Sequence, residues 1–119
     1  MVYMSEHLSL GALEIFVHCQ PLTLRDTYKT FFAEWEDALQ ETLPLYSLPP
    51  TWQAKPPGSA TMQIGDRWVR EERSAVLVVP SVLIPDERNF VVNPAHPDFP
   101  KITIQDRGEF TLDARLLGR

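Results

Sequence analysis

Ser74-Ala75-Val76-Leu77-Val78-Val79-Pro80-Ser81 is the stretch that decides the architecture. Its apolar residues follow one another without polar alternation, the pattern of a central strand covered on both faces, and Pro80-Ser81 ends it. Such a strand needs neighbours. Upstream, Ser59 or Thr61 starts a helix that runs to about Glu72, with Ile64, Trp68 and Val69 on its apolar side and Arg67 and Arg70 outside. Downstream, Val82-Leu83-Ile84, Phe90-Val91-Val92, Ile102-Thr103-Ile104 and Phe110-Thr111-Leu112 read as short strands separated by Pro, Asp, Asn and Gly turns.

The N-terminal half is more helical in its spacing. Val2-Tyr3-Met4 is a short β-prone run, and Ser5 stands where it would cap a helix. From Glu6 to Cys19 the period is helical: Leu8, Ala12, Ile15 and Cys19 lie along one side, with Leu10, Leu13, Phe16 and Val17 beside it. Residues 24–43 are ambiguous. Tyr28, Phe31, Phe32, Trp35, Leu39 and Leu43 keep helical spacing, yet Thr27–Phe32 is rich in strand formers; periodicity alone favours a helix. Pro44, Pro49, Pro50, Pro56 and Pro57 impose extended, helix-free chain around Trp52, read as a loop crossing the surface. The expected class is α+β with a β-rich C-terminal half.

At 119 residues, one domain over 1–119 is the natural partition. The chain holds 11 Pro and only 5 Gly, and the glycines are too dispersed to form a G-x-G-x-x-G or Walker-type loop. Any nucleotide must be held another way. A formal charge of −5 argues against direct nucleic-acid binding. The charge is uneven: residues 1–59 hold seven acids and three bases (−4), residues 60–119 nine acids and eight bases (−1), so an anionic small molecule sits more comfortably against the C-terminal half. Cys19 is alone, which excludes an intramolecular disulfide and a cysteine metal cluster and fits a reducing, cytoplasmic compartment. Glu6, His7, Glu14 and His18 interrupt the apolar N-terminus and no basic segment precedes it, so neither a signal peptide nor a membrane span is expected.

Four groups of residues invite a chemical reading. His7, Glu14 and His18 share a stripe on the first helix, but His7 is about 10 Å from Glu14 at ~1.5 Å rise per residue, too far for one ion, so no metal is expected. Glu14 remains awkward: Leu10, Leu13, Phe16 and Val17 crowd it, and a carboxylate in apolar surroundings needs a partner. In Asn93-Pro94-Ala95-His96-Pro97-Asp98-Phe99-Pro100, His96 or Asp98 would serve as a general base, but a rigid turn with Asn93 and Asp98 bonding the backbone is the stronger reading. Arg67, Arg70 and Arg73 form either an anion-facing row or a solvated face paired with Glu71 and Glu72. Ser74 and Ser81 bracket the buried strand without a G-x-S-x-G elbow, so a serine hydrolase is not expected.

Taken in order, these pieces resemble the RES-domain family. The resemblance runs through Val2-Tyr3-Met4-Ser5-Glu6-His7-Leu8-Ser9-Leu10-Gly11-Ala12-Leu13-Glu14-Ile15-Phe16-Val17-His18, Leu48-Pro49-Pro50-Thr51-Trp52, Ile64-Gly65-Asp66-Arg67-Trp68, Ser74–Ser81, Asn89–Phe99 and Phe110–Leu116. It implies an ADP-ribosyltransferase-like fold and a bacterial toxin of a type II toxin–antitoxin system. Such a toxin pairs with an Xre-type antitoxin and degrades NAD, its substrate, by hydrolysis or phosphorolysis; some members modify a protein instead. Matching positions make Glu14 the family's glutamate, Tyr3 its pocket tyrosine, and either Ser74 or Ser81 its serine, with Ser74 preferred because it precedes the central strand. The resemblance also places a strand at Tyr28–Glu34, with Trp35–Leu43 leading into the Pro-rich stretch.

Family proteins carry a Gly-Gly-Arg-Trp-type segment ahead of the Val-Tyr strand, with the arginine expected to bind the NAD pyrophosphate. Arg25, Arg67 and Arg73 do not match it, so the chain is expected to represent the central and C-terminal part of the domain. Two functions follow: an NAD glycohydrolase or phosphorylase, or a catalytically inactive remnant that binds an antitoxin or self-associates.

Overall fold

A computed structural model describes residues 1–18, 27–53 and 59–117. Strand β1 (Val2–Ser5) leads into helix α1 (Leu8–His18). Strand β2 (Thr27–Glu34), a 3₁₀ turn (Asp37–Leu39) and the short β3 (Gln40–Thr42) follow. Helix α2 (Ser59–Arg70) precedes β4 (Val76–Pro80), β5 (Arg88–Val92) and β6 (Thr103–Thr111). The class is mixed α+β. One sheet has the order β1-β5-β4-β3, antiparallel except for the parallel β3–β4 pair; β2 and β6 form a separate antiparallel pair. Among the described residues no helix is long and apolar enough to cross a membrane.

β4 lies inside its sheet, and the apolar residues divide between its two faces as the lack of alternation implies. Val76 and Val78 pack with Leu39, Phe90, Val92 and Ile102 in one cluster, while Leu77 meets Val91 and Trp68 in another. Trp68 is fully buried on α2, and its neighbours Arg67 and Arg70 are exposed. The indole N–H donates to Ser74 Oγ at 2.8 Å, and the Ser74 hydroxyl donates to the Val76 carbonyl at 2.8 Å. A bulky ring and its one polar atom are thus both satisfied at the start of the central strand.

Several local expectations are corrected. Helical periodicity across residues 27–34 yields to the strand that the family resemblance implies at Tyr28–Glu34, because the β-branched and aromatic side chains pair with β6: Tyr28 lies opposite Phe110 with ring centroids 5.6 Å apart. Residues 24–26 lie outside the described residues. Ser5 does not cap a helix; it ends β1, and its hydroxyl donates to Asn89 Oδ1 at 2.8 Å. Val82-Leu83-Ile84 is no strand, since Ser81 Oγ accepts the amides of Leu83 (3.1 Å) and Ile84 (3.2 Å), which are then unavailable to a ladder. Ile102–Ile104 and Phe110–Leu112 are not two strands with a turn between them. Asp106-Arg107-Gly108 is carried inside β6, with Gly108 at φ +93° donating to Asp106 Oδ1 and a register shift opposite Lys29 and Phe31. The turn-like sequence makes a bulge instead.

The Pro-rich segment forms a 3₁₀ turn (Leu45–Ser47) and a turn in which the Trp52 amide donates to the Pro49 carbonyl; residues 54–58 lie outside the described residues. The Asn93–Pro100 segment is a rigid turn: Asn93 Oδ1 accepts the Ala95 amide, and buried His96 accepts the Asp98 amide at Nδ1. With Nδ1 an acceptor, Nε2 carries the proton and donates to the Glu72 carbonyl at 3.0 Å, tying this turn to the end of α2 where Glu72 adopts φ +50°.

Candidate functional site

Strand parity places the polar residues of the site on one face of the main sheet. Opposite residues in an antiparallel pair share a face. Tyr3 lies opposite Val91, and Ser5 opposite Asn89. Leu77 and Val79 occupy that same face of β4, and Ser81 continues the alternation just beyond the strand. Helix α1 crosses here at close range, a Cβ built on Gly11 meeting the Ser5 Cβ at 3.9 Å.

Glu14 reaches down from α1 onto this surface. Its Oε1 accepts the Ser81 hydroxyl at 3.1 Å and the Asn89 amide at 2.9 Å. Behind Asn89 stands Ser5, and behind Ser81 stand the Leu83 and Ile84 amides. The partner that a carboxylate among apolar neighbours requires is therefore supplied by two strands at once. Ser81 is fully buried; its one proton goes to Glu14 and its two lone pairs to the amides, so its hydrogen-bonding capacity is filled.

The structure brings Glu14 and Ser81 together and leaves Ser74 apart, spent on Trp68 and the Val76 carbonyl. Tyr3 is 72% exposed on β1 and lines the same cleft as Glu14 and Asn89. That cleft, roughly 1430 Å³, separates β1 and α1 from the β2–β6 pair, whose Phe31 and Phe32 face it. Its cations among the described residues are Lys29 and Arg88. Arg88 is engaged: Nη2 pairs with Glu6 Oε2 at 2.7 Å, its backbone amide donates to the other Glu6 oxygen, and its guanidinium lies 5.5 Å from the Phe90 ring centre. These hydrogen bonds hold the Glu6 carboxyl below the usual carboxylate range.

The other candidates lead elsewhere. Arg73 pairs with Glu41 and Glu71, and Arg67 with Glu71, so these two arginines are engaged in surface ion pairs. The His18 side chain lies outside the described residues. Asn89 and Ser5 are the members that sequence reasoning missed. The available signal was Asn89 itself, a poor strand former directly ahead of Phe90-Val91-Val92.

Comparison with known proteins shows the family to which the chain belongs. The family described as the RES domain matches residues 1–113. The chain is 36% identical over 98 residues to Toxin Res of Yersinia enterocolitica, a match covering 82% of this chain and 64% of that protein. It is 34% identical over 117 residues to Toxin Res of Photorhabdus laumondii, covering 98% and 75%. To the Prs ADP-ribosylating toxin of a Sphingobium strain it is 32% identical over 120 residues, covering 98% and 74%.

Proposed function

The chain belongs to the RES domain family, and from that premise we propose that it is a bacterial toxin that cleaves the nicotinamide–ribose bond of NAD. The observation that carries this reading is the carboxylate of Glu14, locked by Ser81 and Asn89 at the wall of a roomy cleft that Tyr3 also lines. The name of the Sphingobium relative supports NAD as the substrate. Its RES-like domain has an ADP-ribosyltransferase-like fold, acts in the cytoplasm and is restrained there by an Xre-type antitoxin.

The chemistry follows from the residues. As the C–N bond breaks, nicotinamide leaves with the bonding pair and positive charge develops on the ribose; water or phosphate then bonds the anomeric carbon and loses a proton. Glu14 stabilises that developing charge, as carboxylates do in glycoside cleavage. Tyr3 offers an exposed ring to stack on nicotinamide or ribose. Ser81 serves by holding Glu14, its hydroxyl being filled already.

Purified protein incubated with NAD is expected to release nicotinamide in step with NAD loss, followed by chromatography. No release, and no growth arrest on expression, would overturn the reading. The two serines separate cleanly in the same assay. Ser81→Ala lowers turnover roughly tenfold by removing one hydrogen bond to a charged group. Ser74→Ala leaves turnover of the folded protein intact but lowers unfolding free energy by about 1–3 kcal/mol, because the buried Trp68 N–H loses its acceptor. Equal loss of turnover in both would reject this division.

Exposed apolar side chains favour a second role alongside it. Val2 and Tyr3 on β1 and Leu8, Leu13 and Val17 on α1 are 40–72% exposed, apolar side chains available to an antitoxin or to self-association. A protein that stays monomeric and fails to retain an Xre-type antitoxin on co-purification would count against it.

A further inference from the structure

Asn89 stands in the middle of the site with a chemically directional side chain. Its Oδ1 accepts the Ser5 hydroxyl at 2.8 Å, and its Nδ2 donates to Glu14 Oε1 at 2.9 Å. The opposite amide orientation would set Oδ1 against the Glu14 carboxylate oxygen, acceptor against acceptor, so only one orientation serves Glu14. Register enforces the arrangement: Ser5 is the residue paired with Asn89 across β1 and β5. Together with Ser81 at the end of β4, Asn89 clamps one oxygen of a helix-borne carboxylate from two strands.

We infer that Asn89, oriented by Ser5, is a positioning residue that aims the Glu14 carboxylate at the reacting ribose. The inference rests on the NAD-cleavage reading. It extends the machinery of that reaction to two residues, one on each of a pair of neighbouring strands. A carboxylate that stabilises charge present only in the transition state must be held still before the reaction begins; a residue that holds it affects kcat while leaving NAD binding largely alone.

The test compares the wild-type chain with Asn89→Asp, Ser5→Ala and the double variant Asn89→Asp with Glu14→Gln, measuring nicotinamide release across NAD concentrations and thermal melting. Asn89→Asp replaces the donor by an anion facing Glu14 and is expected to lower kcat about 100-fold, with KM within about twofold of wild type. Ser5→Ala removes the hydroxyl that orients Asn89, is expected to lower kcat about threefold to tenfold, and keeps the test valid if Asn89→Asp folds poorly. In the double variant a glutamine N–H faces the aspartate, so melting rises above that of Asn89→Asp but stays short of wild type, because the Ser81 hydroxyl loses its acceptor at that position; turnover does not recover. Wild-type turnover with kcat unchanged in both single variants, or a rise in KM without loss of kcat, overturns the assignment and leaves the NAD reading standing. A wild-type chain that releases no nicotinamide overturns both.

Discussion

Glu14→Gln is expected to lower nicotinamide release from NAD by about 10²–10³-fold, the range lost when a preorganised electrostatic contact to transition-state charge is removed. The substitution is conservative for the fold. Oε1 is the atom that accepts both Ser81 and Asn89, and a glutamine can present its carbonyl oxygen at that place. What disappears is the negative charge opposite the ribose. KM for NAD should therefore change little, and the melting temperature should stay within about 4 °C of wild type. A rate equal to wild type under saturating NAD would remove Glu14 from the mechanism. Collapse of the fold, seen as lost near-ultraviolet circular dichroism, would mean the charge serves the core instead.

Trp68→Ala is expected to be the most damaging single change to stability, lowering unfolding free energy by about 3–5 kcal/mol. Trp68 is fully buried, fills the space between α2 and the Leu77–Val91 face of the main sheet, and gives its N–H to Ser74. Truncation opens a cavity and also strips Ser74 of its donor. For a domain of this size the melting midpoint should fall on the order of 10–20 °C. A urea titration measures the same loss, and a decrease below about 1 kcal/mol would show that α2 closes over the gap or that the sheet is held chiefly from its other face, where Leu39, Phe90 and Ile102 pack.

The contrast between these two residues explains how much was legible beforehand. Trp68 announces itself locally: an apolar side repeats with helical period from Ile64, charged neighbours flank it, and an unalternating strand follows. The strand at residues 27–34 shows the limit of such reasoning, because its aromatic residues fit both periods and only pairing with β6 settles the matter. The Asp-Arg-Gly bulge in β6 and the bent Val82–Ile84 segment depart from local expectation for one shared reason. Turn residues and strand formers describe local preference, while a bulge or an amide captured by Ser81 depends on what lies across the fold.

Glu14 was recognisable as a residue in need of a partner, but not which partner it had. Ser74 and Ser81 bracket the same strand and both carry a hydroxyl, yet one is 67 positions from Glu14 and bonded to it while the other is consumed by Trp68. From residue order alone come the class of the fold, the buried central strand and the carboxylate on the first helix, each from composition or period within a short window, and the family resemblance, from stretches taken in order along the chain. The hydrogen bonds of Glu14 to Ser81 and Asn89, and of Ser5 to Asn89, come only with strand order β1-β5-β4. Hydrogen bonds act over about 3 Å, and the residues they join here, 67 to 84 positions apart, become neighbours only once the sheet is assembled.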